Sequence, residues 1–235
     1  MSSSDITTGQ WRTLVGVLED VLPYYEIFNT LNTLGQLRRW RDMAARLAAR
    51  EDTVLEIGPG SGGFAATLSC GELYCLDPSM RILEYARQEL DGDGAQFVGG
   101  IAENLPFDDQ LFDIVFCIFS FRDFMSKAAG LQEIKRVLKK EGKVCIVDVS
   151  FPEDGVLRSL VNFHIHRIAP HLSALAFPRD KRRVWKDKHY PEFLRTLEAF
   201  GRASQYPRML IDLGFREVDM RLLFGRSAFI LTGVK

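Results

Sequence analysis

Several features that would narrow the function of a protein are absent from this 235-residue sequence. Lysine and arginine (30) balance aspartate and glutamate (31), and a formal net charge of -1 excludes a whole-protein attraction to nucleic acid or to an anionic membrane. No apolar stretch approaches the ~20 residues of a membrane span. The N-terminus lacks the basic patch and apolar run of a secretory signal, and no internal repeat is present. We therefore expect an ordinary globular protein without nucleic acid as its partner.

Cysteine is scarce, and its four positions form no CxxC pair. Cys117 and Cys145 lie inside apolar, strand-like runs. This placement is typical of reduced core residues rather than of disulfides or metal ligands. We therefore expect no metal site and a cytoplasmic location.

From Glu51 onward the sequence alternates strand-like and helix-like stretches, which predicts a parallel sheet with right-handed crossovers. The predicted strands are Thr53–Ile57, Glu72–Leu76, Gln96–Val98, Phe112–Phe119 and Lys143–Val149. The predicted helices between them are Gly62–Leu68, Met80–Leu90 with Ser79 as N-cap, and Lys127–Lys140 with Gly142 as its stop. The pattern predicts an α/β fold with a doubly wound, mostly parallel sheet.

The flanking regions follow other patterns. Apolar steps of three or four predict two helices within Thr8–Arg50, separated by Pro23. Beyond Phe151, the sequence predicts helices at Gly155–Ala169, Pro191–Phe200 and Gln205–Leu213, with a polar segment between the first two. Two apolar runs, Arg216–Leu223 and Ser227–Val234, predict a C-terminal antiparallel hairpin.

The stretch VLEIGPGSGG, Val54–Gly63, combines a short buried strand with a glycine turn. Glu56 lies near the end of the strand, and the glycines that follow remove side chains from the turn, so that a ligand can approach the backbone closely. Because Gly58, Gly60 and Gly63 also satisfy the GxGxxG spacing of dinucleotide-binding folds, this motif alone leaves the nucleotide-type cofactor open.

Asp77 ends the second predicted strand, within LYCLDPSM. A carboxylate at that strand tip can accept hydrogen bonds from both hydroxyls of a ribose lying across the sheet. The alternative is that Asp77 only caps the helix that starts near Ser79. Its position after the glycine turn favours the ribose.

Taken in order, LEIGPGSG, LDPSM, AENLPFDDQLFDIV and LKKEGKVCIVDV resemble the class I S-adenosylmethionine-dependent methyltransferases over roughly Glu51 to Pro152. The resemblance implies a Rossmann-like fold and S-adenosyl-L-methionine as cofactor. The residues implied to bind the cofactor are Glu56, Gly58, Gly60, Gly62, Asp77, Pro78, Ile101, Ala102 and Phe119. On this basis the expected division of a single domain, 1–235, is N-terminal helices (1–50), a cofactor-binding core (51–152), a helical lid (153–203) and a C-terminal helix with the hairpin (204–235).

A closer resemblance covers YEIFNTLNTLGQLRRWR, FSFRD and VDVSFPED, which are similar to segments of the ubiquinone and menaquinone biosynthesis C-methyltransferases. It implies a lipid-like acceptor, an isoprenoid quinol, with Arg122, Asn29 and Tyr25 as catalytic residues. Asp123 and the histidines are further candidates to handle the proton. His164 and His166 are two positions apart on a predicted helix, so at most one is expected to face the acceptor, and a structural role for either is the favoured alternative.

The sequence departs from that family at Ile101, Ser120 and Asp123 and in the C-terminal SAFILTGVK. A methyltransferase with another small-molecule or lipid acceptor and a non-catalytic binding module with this fold are therefore alternatives; a nicotinamide-dependent dehydrogenase is the weakest.

The segment 179–190 carries a local basic excess. Arg179–Lys188 holds six basic and two acidic residues, and Phe177, Trp185 and Tyr190 are interleaved with them. Such a segment predicts a peripheral membrane contact or, alternatively, a solvated charged loop.

Overall fold

The computed structural model describes residues 6–90, 94–153 and 155–235. In this part of the chain a single sheet has the strand order β3-β2-β1-β4-β5-β7-β6. The strands are β1 (Thr53–Ile57), β2 (Glu72–Asp77), β3 (Ala95–Gly99), β4 (Phe112–Ile118), β5 (Leu138–Val149), β6 (Arg216–Leu223) and β7 (Ala228–Val234). Strands β1 to β5 pair in parallel, and β7 runs antiparallel to both β5 and β6. The predicted doubly wound sheet with a C-terminal hairpin is confirmed.

Helices cover the sheet. They are α1 (Thr8–Val21), α2 (Tyr25–Asn32), α3 (Leu37–Ala45), α4 (Met80–Glu89), α5 (Lys127–Val137), α6 (Gly155–Phe163), α7 (Ala169–Ala174), α8 (Arg182–Val184), α9 (Tyr190–Ala199) and α10 (Gln205–Asp212). Two π-helical turns, His164–Ile168 and Trp185–His189, make the chain nearly continuous helix from α6 to α7 and from α8 to α9. As predicted, Ser79 caps α4, because its hydroxyl accepts a hydrogen bond from the Ile82 N–H.

Side chains alternate between the two faces of β1, and this alternation builds two cores. Leu55 and Ile57 join a cluster with the buried faces of α5 and α10. Val54 joins a second cluster with α3 on the opposite face. Glu56 shares the face of Val54, so the one carboxylate of this strand is buried beneath the glycine turn. Each fully buried aliphatic side chain contributes about 1.5–3 kcal/mol to the sheet's packing.

The predicted helix Gly62–Leu68 is wrong. Only a 3-10 turn forms, at Ala65–Thr67, and Leu68 is already extended. Gly62 has a φ of +80°, outside the helical region, and only a few residues then remain before β2. The glycine turn is therefore followed by a single 3-10 turn and not by the predicted helix.

The predicted end of α5 is also wrong. The helix stops at Val137, and Leu138 pairs with Phe112 as the first residue of β5. Gly142 lies inside β5 at a close backbone approach, where a Cβ would sit 2.9 Å from the Lys139 carbonyl oxygen. Glycine is therefore required at this position by the close backbone contact and not by the end of a helix.

Residues 6–50 form three helices rather than two, because Gly35, with a φ of +79°, separates α2 from α3. The polar segment after α7 is also largely helical. Its interleaved aromatic side chains, Phe177, Trp185 and Tyr190, are buried in a core cluster with Phe28. They cannot contribute to a membrane contact, which corrects the argument made for the segment 179–190.

Candidate active site

The strand order reverses between β1 and β4, and a cavity of about 90 Å³ lies at the carboxyl ends of these strands. Open α/β sheets bind their ligands at such a point. Seven of the nine residues predicted to bind the cofactor line this cavity, together with Tyr25. The seven are Gly58, Gly60, Asp77, Pro78, Ile101, Ala102 and Phe119. We call this space the first cavity.

Two glycines of the turn keep its backbone open to the first cavity. Gly58 has a φ of +75°, and a Cβ there would lie 2.5 Å from the Ser120 Cβ. Gly60 has a φ of +55°, and a Cβ there would lie 3.3 Å from the ring of Tyr25. Gly62 packs instead against the backbone of Ala86 in α4 and does not line the cavity. The structure therefore shows a packing role for Gly62, and its cofactor contact stays a prediction.

Asp77 lies both at the start of α4 and at the edge of the first cavity. Its Oδ1 accepts a hydrogen bond from the Ser79 N–H at 2.8 Å, and the side chain also lines the first cavity. Burial raises the pKa of this carboxyl to about 7, against the opposing effect of the Ser79 N–H. A hydroxyl-bearing ligand that supplied further donors would favour the ionised form.

Glu56 does not line the first cavity but lies buried beneath the turn, with no hydrogen-bond partner for its Oε2. Burial raises the pKa of this carboxyl to about 8, and nearby Arg41 opposes the shift. Arg41 itself holds both carboxylate oxygens of Glu26, at 2.7 and 2.9 Å, and the Ser61 hydroxyl also donates to Glu26. A buried acceptor without a donor costs stability, so this site is suited to a cationic or hydrogen-bonding group.

Sequence reasoning missed the Glu26–Arg41–Ser61 network and the cover over the first cavity. Helix α1 closes the cavity with Trp11, Leu14, Val15 and Leu18, the apolar face that its periodicity predicted. The Glu19 side chain connects α1 to the start of α4, because it accepts hydrogen bonds from Ser79 and Arg81. Helix α1 therefore forms one wall of the first cavity.

A second cavity, of about 410 Å³, lies on the other side of Phe119. Phe119 lines both cavities and has a φ of +62°, which is rare for a bulky residue and is typical of functional sites. Most of the second cavity is apolar, lined by residues of α6, α9 and the turn at 224–226. Its apolar lining includes Trp40, Leu157, Leu160, Val161, Phe193, Leu197 and Phe224.

One part of the second cavity is polar, and some of its side-chain atoms have no hydrogen bond. Among the described residues, the buried side-chain atoms without a hydrogen bond include Asn29 Nδ2, both amide atoms of Asn32, Arg122 Nε and His164 Nε2. All four residues line this cavity. Burial lowers the pKa of His164, so its imidazole is neutral at neutral pH. His166 is on the surface beside Glu198, as expected if only one of these histidines faces the cavity.

The three residues predicted to be catalytic meet at the junction of the cavities. The Tyr25 phenol hydrogen bonds with the side chain of Asn29, and burial raises the pKa of Tyr25 while Arg122 opposes this. Arg122 is buried and donates to Asp148 at 2.7 Å. Asp123 lies 3.6 Å from Arg122 and faces the first cavity, and burial raises the pKa of its carboxyl to about 6.

Comparison with known proteins agrees with this geometry. Residues 55–146 match the family model described as "Methyltransferase domain". The demethylmenaquinone methyltransferase of Chlorobaculum tepidum is 26% identical over 227 residues, covering 93% of this chain and 90% of the relative. The ubiquinone/menaquinone biosynthesis C-methyltransferase UbiE of Shewanella frigidimarina is 27% identical over 215 residues, covering 86% and 82%. This chain is a class I S-adenosylmethionine-dependent methyltransferase.

A solved structure shows the same fold. The S-adenosylmethionine-dependent methyltransferase of Thermotoga maritima superposes with a TM-score of 0.64 at 20% identity, covering 94% of this chain and 99% of that one. Within the described residues, no cluster of ligand-type side chains could hold a metal ion, and no helix is long and apolar enough to span a bilayer.

The residues of the methyltransferase fit its cofactor. The first cavity offers a glycine turn without side chains, the carboxylate of Asp77 at its rim and the unpartnered Oε2 of Glu56 nearby. Ile101 adds an apolar side chain to the lining of this cavity. When bound, S-adenosylmethionine supplies an electrophilic methyl group, so the protein mainly has to orient the acceptor and exclude water.

Proposed function

We propose that this methyltransferase C-methylates a demethylmenaquinol- or ubiquinol-type isoprenoid quinone precursor. One observation carries the proposal: the second cavity joins the cofactor cavity at Phe119, has polar groups in one part and is apolar elsewhere. A hydroquinone ring has hydroxyls to pair with the polar groups, and its prenyl tail matches the apolar lining. Two relatives, a demethylmenaquinone methyltransferase and a ubiquinone/menaquinone biosynthesis C-methyltransferase, support the same acceptor class.

The same proposal assigns the cofactor-binding residues. The carboxylate of Asp77 holds the ribose hydroxyls, and Glu56, with the backbone of the turn at Gly58 and Gly60, serves the amino-acid end. Ile101 and Ala102 pack on the adenine ring. The aromatic faces of Phe119 and Tyr25 favour the positive sulfonium by roughly 0.5–2 kcal/mol.

Methyl transfer to ring carbon requires electron density, which rises when the neighbouring ring hydroxyl loses its proton. The neutral imidazole of His164 is the acceptor for that proton, because its Nε2 is unpartnered and burial lowers its pKa. Arg122 cannot accept a proton at neutral pH, but its charge stabilises the phenolate. Asn29 and Asn32 orient the hydroxyls through their unpartnered amide groups. The carbon that gains the methyl group then loses its own ring proton.

The proposed setting is the cytoplasm, with the acceptor taken from a membrane. The four cysteines are free, as expected of a reducing compartment. The aromatic residues of the segment 179–190 are buried, so this segment is not part of the proposed membrane contact.

The test is an assay with S-adenosylmethionine labelled in its methyl group and a short-chain demethylmenaquinone that has been chemically reduced. We expect the label on ring carbon of the quinol. The oxidised quinone is the matched control, because it has no ring hydroxyl to deprotonate, and it should stay unlabelled. Transfer to other phenols or lipids with none to the quinol would assign a different small-molecule acceptor.

A further inference from the structure

Helix α6 has no buried residue, although most of its side chains are apolar. Val156 is 78% exposed and Phe163 is 59% exposed, and their spacing places both near Leu160 on one face of the helix. Exposed apolar side chains of this size in a contiguous patch indicate a contact surface. The patch therefore needs a partner.

The patch continues into the second cavity. Four residues line this cavity and are also exposed at the surface: Leu34, Leu157, Leu160 and Phe224. They come from three separate segments, and Leu157 also packs against Gly225 of the turn at 224–226. The opening of the second cavity thus has an apolar rim, and the exposed face of α6 extends that rim outward.

Basic residues predominate in the segments that supply the rim, although Glu153 and Asp154 directly precede α6 in the sequence. The segments 29–40, 155–175 and 220–235, which supply the rim, contain no aspartate or glutamate. Their exposed arginines are Arg38, Arg39, Arg158, Arg167, Arg221 and Arg226. The nearby carboxylate of Glu198 lies beside His166 rather than beside an arginine. An apolar rim flanked by arginines is complementary to a bilayer with anionic headgroups.

We propose that α6 and the turn at 224–226 form a docking surface for an anionic phospholipid bilayer, with the second cavity opening toward the lipid. The inference rests on the proposed function, because a prenylated acceptor dissolved in lipid would enter through this rim without crossing water. It replaces the segment 179–190 as the membrane-facing part of the protein.

Vesicle flotation of the full chain tests the surface. The wild type should float with vesicles of phosphatidylcholine and phosphatidylglycerol and much less with phosphatidylcholine alone. The double variant Val156→Glu, Phe163→Glu should bind the anionic vesicles ~10-fold more weakly or worse, since it loses apolar area and adds charge. Neither residue lines a cavity, so methylation of a soluble short-chain quinol should be unchanged. Ile211→Glu, an exposed apolar position on α10, is the control and should float like the wild type.

A second measurement detects contact with lipid directly, so that a folding defect in the double variant cannot produce its result. Tryptophan in Phe163→Trp should be quenched by brominated lipid, and tryptophan in Ile211→Trp should not. The surface is wrong if the wild type does not float, or if the double variant and Ile211→Glu float equally. It is also wrong if size-exclusion chromatography shows a dimer that the double variant dissociates and no vesicle binding occurs. Vesicle binding without quinol methylation would retain the surface and remove the quinol assignment.

Discussion

Arg122 and Asp148 form a fully buried ion pair in which the arginine Nη1 donates to Oδ1 at 2.7 Å. The backbone N–H of Arg122 also donates to Oδ2 of the same carboxylate, at 3.0 Å. The end of β5 thereby fixes the chain just after β4, where Phe119 separates the two cavities. Because both charges are buried, each depends on the other for compensation.

Asp148→Asn should therefore lower the free energy of unfolding by roughly 3–5 kcal/mol, because Arg122 loses its hydrogen-bonded carboxylate and keeps the more distant Asp123, at 3.6 Å, as its compensating charge. The matched control is Glu141→Gln, which removes the exposed partner of Arg216 and should cost less than about 1 kcal/mol. Urea unfolding of both variants measures the difference. Equal costs would show that the buried pair does not hold this part of the chain.

Gly58 should be intolerant of alanine for a steric reason beyond its positive φ. Gly58→Ala places a Cβ 2.5 Å from the Ser120 Cβ, which should cost roughly 1–3 kcal/mol through overpacking and weaken cofactor binding. Gly35→Ala is the control, because Gly35 has nearly the same φ but no atom within 4 Å of the added Cβ. Thermal unfolding and calorimetric titration with S-adenosylmethionine measure both effects. If the two variants lose the same stability, the clash at Ser120 is relieved without cost.

Asp77 should make cofactor affinity depend on pH. Its pKa is about 7 in the folded protein, against an ordinary value of 3.8, so the carboxyl is increasingly protonated as the pH falls below 7. If only the carboxylate holds the ribose, affinity should fall by up to about tenfold per pH unit below 7. Asp77→Asn should bind roughly 10–100-fold more weakly at neutral pH, the value of hydrogen bonds to a charged group, and should lose this pH dependence.

The same group has the opposite effect on the protein without cofactor. Between pH 3.8 and about 7 the folded state holds more protons at Asp77 than the unfolded state. Its contribution to the free energy of unfolding therefore falls as the pH rises through that window. In Asp77→Asn the free energy of unfolding should lose this dependence on pH. The measurement is the difference in the free energy of unfolding between the wild type and the variant at each pH. A variant with unchanged affinity would remove Asp77 from the ribose site.

The order of apolar runs and turns in the sequence predicted the parallel strands and the position of the glycine turn. The glycine turn after Ile57 and the carboxylate at Asp77 lie next to each other because parallel strands end at one edge of the sheet. The helix after the turn failed because Gly62 adopts a backbone conformation that a helical pattern does not reveal. The cover by α1 and the pairing of Glu26 with Arg41 require tertiary contacts, which periodicity does not specify. Trp185 lies among basic residues yet is buried, because its neighbours in the helical cover decide burial.

His164 should be the group whose ionisation controls methyl transfer to the acceptor. Burial lowers its pKa below the ordinary 6.5, so kcat/KM should increase with pH through that lowered pKa and then level off. His164→Gln should lower kcat by ~100-fold or more, the usual contribution of a positioned base, and should lose the acidic limb of the profile. S-adenosylmethionine binding should be unaffected, because His164 does not line the first cavity.

The control is His166→Gln, two positions away and on the surface, which should keep both the rate and the profile. If His164 has only a structural role, His164→Gln should lower the stability of the protein and leave the shape of the pH profile unchanged. Retention of the acidic limb in His164→Gln would therefore exclude it as the base. The carboxylate of Asp123, which lines the first cavity and whose Oδ1 has no hydrogen bond, would then be the remaining candidate. Asp123→Asn would test it by the same profile, with the limb expected near the pKa of about 6 that burial gives this carboxyl.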